Sequence, residues 1–144
     1  MGSKMDLFRS VIDVWRDTQD VEAVVSKMTD DVVWHYSAAT KSPKHGKDGA
    51  REFLNSFKET VRNPRWRIFN YAENDTMLFV EGVDEFDTPD GKTVVIPYMG
   101  VIEFRGDLIC GWRDYFDRKI ADAGARGEAL PDYAAALADR KAVS

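Results

Sequence analysis

The chain is short of the residues that bind metals, form disulfides or grip nucleic acid. One cysteine, Cys110, excludes an internal disulfide and a cysteine-built metal cluster. Two histidines, His35 and His45, are too few and badly spaced for a histidine-rich metal site. Basic residues number 20 against 25 acidic ones, for a net charge of -5. Lys41, Lys44 and Lys47 lie scattered among Ser, Pro and Gly, so no basic surface for nucleic acid is expected. No apolar run approaches the ~20 residues that span a bilayer, and the N-terminus carries no secretory signal. The expectation is a cytoplasmic protein with no membrane or nucleic-acid partner and no cofactor. Repeats and low-complexity segments are absent as well.

What is present suits one domain with a sizeable core: 144 residues, 44% of them hydrophobic. Leu7, Val11, Val14 and Trp15 fall at helical spacing, so residues 5–17 read as an amphipathic helix. Asp20 caps a second helix that carries Val21, Val24, Val25 and Met28. Val32 to Tyr36 reads as a strand, and 40–46 as a loop. A third helix starts at Asp48 with an Ala50, Phe53, Leu54, Phe57, Val61 stripe, and Pro64 ends it. The period then changes to two. Strands are expected over 66–71, 77–86, 94–104 and 108–116, with turns at 87–92 and 105–107. An Ala-rich, charged segment follows, in which Pro131 opens a short terminal helix. Helices followed by a run of antiparallel strands make this an α+β fold.

Alternation along the strands singles out two carboxylates. Val80, Gly82, Asp84 and Phe86 share one face; Cys110, Trp112, Asp114 and Phe116 share another. An acid that interrupts an apolar face is costly unless it is paired, hydrogen-bonded or functional. Two such acids on neighbouring strands can hold one proton between them, which is the apparatus of acid–base chemistry without a metal. The structural alternative is an ion pair of Asp114 with Arg113 or another arginine. Tyr98, beside Ile96 and Gly100, offers a phenol to a substrate oxygen or packs with its hydroxyl bonded. Trp34 and Tyr36 share a face with His35 opposite; His35 is a candidate catalyst or an ordinary core residue. Trp66 lines a pocket or belongs to the core. Cys110 reads as a small buried residue.

The segments Glu81-Gly82-Val83-Asp84, Asp90-Gly91-Lys92, Met99-Gly100-Val101 and Gly111-Trp112-Arg113-Asp114-Tyr115-Phe116-Asp117 resemble the second half of the limonene-1,2-epoxide hydrolases. The resemblance covers most of residues 5–120. It implies the nuclear transport factor 2-like (NTF2-like) cone, a curved, mostly antiparallel sheet wrapping N-terminal helices, shared with SnoaL-like cyclases and ketosteroid isomerases. It also implies a homodimer through the outer sheet face. On this reading residues 5–120 are one SnoaL-like domain and 121–144 a C-terminal helical extension.

In the resembled family the acid at the place of Asp84 protonates the epoxide oxygen, and the one at Asp114 acts as base toward water. An arginine two residues before the first acid bridges them, and a tyrosine and an asparagine help hold the water. Here those three positions are Gly82, Trp34 and Tyr36. The expected activity is therefore a cofactor-independent, lyase-type elimination or C–C or C–O cleavage of a small hydrophobic, aryl-bearing molecule. Asp84 and Asp114 would move protons, and Tyr98, Tyr36 or His35 would stabilise charge. Trp34, Trp66, Gly82, Phe86, Ile96 and Trp112 would bind substrate. Epoxide hydrolysis and non-catalytic ligand binding are the alternatives.

Overall fold

Local chemistry sets the helix ends. The computed structural model describes residues 3–143. Helix α1 (Lys4–Thr18) opens with a capping box in which Ser3 and Asp6 satisfy each other's backbone N–H groups. It buries Met5, Phe8, Val11, Ile12 and Trp15 along one stripe. Asp20 accepts from the Ala23 N–H at 3.1 Å and starts α2 (Val21–Val25). Strand β1 (Met28–His35) follows, then β2 (Lys44–His45), a two-residue edge strand inside the segment expected to be a loop. Helix α3 (Gly46–Thr60) begins two residues earlier than its apolar stripe suggested.

Pro64 does not end α3. The helix stops at Thr60, and Pro64 lies buried in β3 (Arg62–Glu73), at a register shift between Arg62 and Arg65. Asn63 before it has a positive φ of 51°. A proline has no N–H to give a ladder, so a bulge is where a strand tolerates one. Strands β4 (Met77–Asp87), β5 (Thr93–Arg105) and β6 (Leu108–Phe116) complete the meander. Gly91 and Gly106 take φ of 88° and 63° in the two hairpin turns, where a side chain would be strained.

The six strands form one curved sheet in the order β2-β1-β6-β5-β4-β3. Only β1 and β6 run parallel. The inner face carries the main core, with Ile68, Leu78, Val80 and Ile102 packed against the apolar sides of α1, α2 and α3. This is the α+β arrangement expected, a sheet wrapped around N-terminal helices. The outer face is laced with ion pairs, including Arg65 to Glu85 and Asp87, Arg67 to Glu85, and Arg113 to Glu103.

The C-terminal segment is fastened to the sheet. Asp117 caps α4 (Arg118–Ala125), accepting from Lys119 N–H at 2.8 Å. Helix α4 lies on β5, where a Cβ built at Gly124 would stand 3.0 Å from Val94 Cγ1, so only glycine allows this approach without a shift. Helix α5 (Asp132–Ala138) places Ala138 in a small outer cluster with Phe69 and Val83. Arg140 pairs with Glu81 at 3.0 Å and sits over the Phe69 ring, and Val143 N–H donates to Ile68 O at 2.7 Å. The boundary expected at residue 120 thus falls inside α4.

Candidate active site

The strand registers decide which side chains meet. Asp84 on β4 stands beside Ile96 of β5, and Asp114 on β6 stands beside Gly100 of β5. The two acids are therefore not on neighbouring strands, as the sequence reading had them; β5 runs between. Ile96, Tyr98 and Gly100 share the inner face of β5, which puts Tyr98 between the two acids. Gly100 clears the path, since a Cβ there would lie 3.0 Å from Asp114 Oδ1.

Both acids open on a cavity of about 400 Å³. Its strand wall also carries Trp34, Trp66, Phe86, Ile96, Tyr98 and Trp112, with Tyr36 just past the end of β1. Trp34 and Trp112 sit side by side on parallel strands and stack at 4.4 Å with planes 14° apart. Tyr36 stacks on Phe53 at 4.8 Å. Such pairs add about 0.5–1.5 kcal/mol each beyond their area burial and fix the wall. Residues that the sequence reading did not place here come from two helices. Helix α3 supplies Phe53, Ser56, Phe57 and Thr60, and α4 supplies Arg118, Ala121, Asp122 and Ala125. The Phe53 and Phe57 stripe was visible in the sequence as a buried helix face; α4 was expected only as part of a helical extension from residue 121, with no place at the cavity. Phe116 also reaches the cavity.

Two predicted site residues stand elsewhere. His35 lies on the opposite face of β1 from Trp34 and does not line the cavity. Gly82 is buried outside it, and a Cβ there would fall 2.2 Å from Arg67 O. The β3 backbone already occupies the space, so position 82 admits no substrate bulk and no arginine without a shift of the sheet. Arg65 and Arg67 spend their charges on Glu85 and Asp87, not on the acids of the cavity. Arg113 turns outward to Glu103, so the ion pair considered for Asp114 does not form with it.

The electrostatics follow from this burial. Both acids are half-buried, and the cavity receives what exposure they keep. Desolvation pushes the Asp84 carboxyl up to about 7, with the Trp66 indole offsetting part of the rise. The two make no hydrogen bond of normal geometry: Trp66 Nε1 and Asp84 Oδ1 are both without a partner. Asp114 is pushed up to about 8, first by burial and then by the charge of Asp84, while a hydrogen bond from Trp112 Nε1 at 3.1 Å opposes the rise. The two values belong to the pair, because the second proton is held against the charge left by the first. Burial and the two acids also hold the Tyr98 phenol well above its usual range. Among the described residues no cluster of His, Cys, Asp and Glu could hold a metal ion.

Known proteins share this frame. A Mycobacterium tuberculosis epoxide hydrolase of the limonene-1,2-epoxide hydrolase type superposes with a TM-score of 0.73 at 21% identity, over 86% of this chain and 90% of that one. A Shewanella putrefaciens CN-32 protein assigned as a SnoaL-like polyketide cyclase gives 0.76 at 15% identity, over 88% and 98%. A Catenulispora acidiphila protein with a ketosteroid isomerase-like fold, solved with trimethylamine, gives 0.69 at 14%, over 84% and 97%. At these identities the likeness speaks for the fold. The family profile of the SnoaL-like domain matches residues 8–112, and the chain therefore belongs to the SnoaL-like family of the NTF2-like superfamily.

Proposed function

We propose that this protein is a cofactor-independent acid–base enzyme that cleaves a small hydrophobic, aryl-bearing molecule in a lyase-type elimination. One observation carries the reading: two carboxyls with raised proton affinity open on a single aromatic cavity. The reacting form is the singly protonated pair with its charge on Asp114, an anion that the Trp112 N–H stabilises. Asp114 takes a proton from a substrate hydroxyl or carbon. The released electron pair forms a double bond, and the bond to the neighbouring oxygen or carbon breaks. Asp84 gives its proton to the departing group. The pair ends with its proton on Asp114, and a return to Asp84, past Tyr98 or a water, resets the site. Each positioned transfer is worth about 10²–10⁴-fold in rate.

Epoxide hydrolysis uses the same pair and is the second reading, favoured by the fold shared with the M. tuberculosis enzyme. Against it stand Trp34, which donates but does not accept a hydrogen bond, and the filled space at Gly82. Turnover in ¹⁸O-labelled water separates the two. Elimination leaves the label out of the product, whereas hydrolysis places it in a diol. Asp84→Asn and Asp114→Asn are each expected to cut kcat by at least about 10²-fold with the far-UV circular dichroism unchanged. Turnover that survives both substitutions contradicts catalysis by the pair.

We propose further that the chain works as a homodimer through the outer sheet face, where Phe79, Met99 and Tyr115 are exposed large apolar side chains.

A further inference from the structure

One arginine stands apart from the rest. Every other arginine among the described residues donates a side-chain hydrogen bond, to a carboxylate or to a backbone oxygen. Arg118 has an ion contact alone: Asp122 Oδ1 stands 3.6 Å from its Nε, beyond hydrogen-bond reach. Both side chains reach solvent, and such a pair contributes little. Its order along the helix, base before acid at i,i+4, is also the weaker one. Nor does the helix gain from this charge. Arg118 is the first residue of α4, where the positive end of the helix dipole disfavours a cation.

Its place gives the charge a use. The cavity runs from a dry end to a wet one. Trp34, Ile96 and Trp112 line it from buried positions. Ser56, Thr60, Asp122 and Ala125 line it from exposed positions on α3 and α4. Arg118 belongs to this rim, and among the described residues lining the cavity it is the one cation. Neither acid of the cavity draws on it: burial, the indoles and, for Asp114, the charge of Asp84 set their proton affinity. The guanidinium therefore keeps its fork of donors for a group that arrives from outside, and a carboxylate matches that fork oxygen for nitrogen. Size points the same way. A cavity of about 150 Å³ takes benzene. This one, at about 400 Å³, has room for a ring and for a short chain leading to the rim. The acids fix the orientation. Once ionised, the pair repels a carboxylate from the inner end, and Arg118 attracts it at the outer one.

We propose that the substrate is an arene carrying a carboxylate on a short chain, and that the Arg118 guanidinium holds this carboxylate at the rim while the ring enters the aromatic end. This names the substrate class of the site described above and rests on that reading for the cavity, not for the reaction. Arg118 is then a specificity residue: it touches the substrate away from the reacting atoms and sets how far the ring reaches toward Asp84 and Asp114.

The test uses the whole protein, labelled with ¹⁵N, and two probes of one shape, 4-phenylbutanoate and its neutral amide, at about pH 7.5. Titration calorimetry is expected to show the carboxylate binding about 3–10-fold more tightly than the amide, the range of a charged hydrogen bond partly open to water. In Arg118→Gln that advantage is expected to vanish, with amide binding within about two-fold of the parent. The Arg118 Nε–H signal, assigned by its loss in the variant, is expected to move with the carboxylate and to stay in place with the amide. If the glutamine variant does not fold, Arg118→Met takes its place. Equal binding of the two probes, an advantage kept without Arg118, an Nε–H signal indifferent to the carboxylate, or binding of neither probe overturns the proposal. The two readings fail separately. A carboxylate held at Arg118 by a protein without turnover counts against the acid–base reading alone. Turnover lost in the Asp variants, with the amide bound as well as the carboxylate, counts against this one alone.

Discussion

An aspartate at its ordinary value of 3.8 is almost fully ionised at pH 7. With Asp84 raised to about 7 and Asp114 to about 8, the pair instead holds one or two protons near neutrality. A reaction that takes one proton and gives another needs the singly protonated pair. Below about 7 the second proton fills the base; above about 8 the last one leaves the acid. The profile of kcat/KM against pH is thus expected to be a bell with its top between about 7 and 8, read from initial rates over pH 5.5–9.5. A curve that only rises through pH 4–5 and then stays level would mean ordinary, solvated carboxylates. At this scale the sequence was legible where chemistry contradicts pattern: an acid on an apolar strand face stands out. It misled at Gly82, because alternation tells which way a side chain points and nothing about the neighbouring backbone. Arg67 O, close to the β3 register shift, fills that space. His35 was singled out for its ring chemistry, although parity had already turned it away from Trp34 and Tyr36.

Strand β5 makes the element-scale geometry. It separates the strands of the two acids by two spacings, roughly 10 Å between backbones, so both side chains must lean across it to act on one molecule. Gly100 lets Asp114 do so. An added methyl there would crowd Asp114 Oδ1 at 3.0 Å, Val80 Cγ2 at 3.2 Å and Tyr98 Cε2 at 3.3 Å. All three are ends of side chains, which can shift by a few tenths of an ångström. Gly100→Ala is therefore expected to keep the fold, with the unfolding midpoint within a few degrees of the parent, while kcat falls about 10–100-fold from the misplaced base. An unchanged kcat would show that the carboxyl has no need of that room. The meander around β5 was readable from period-two alternation and Gly turns. Pro64 was misread because proline signals a break without saying which element it breaks. Helix α4 was legible only as the start of a C-terminal helical extension, and its place over the cavity depends on Gly124 meeting Val94, a long-range fit.

For the whole molecule, the curved sheet buries its inner face and leaves a question on the outer one. Helix α5 and the segment after it cover the part around Phe69 and Val83. Beyond that cover, Phe79, Met99 and Tyr115 stay exposed on β4, β5 and β6, where Phe79 pairs with Val101 and Met99 with Tyr115. Ion pairs flank the patch, Arg140 with Glu81 and Arg113 with Glu103. An apolar centre with a charged rim is the anatomy of a protein interface. In a two-fold dimer this face would meet the same face of a second copy. The chain is expected to sediment as a dimer at micromolar concentration. Met99→Glu places two like charges near the centre of such an interface and is expected to shift sedimentation to the monomer. The cavity lies on the other side of the sheet, so the monomer should keep the aromatic cage and bind small arenes as before. A wild-type chain that sediments as a monomer, or a Met99→Glu variant that stays dimeric, would mean that this face is not where two copies meet.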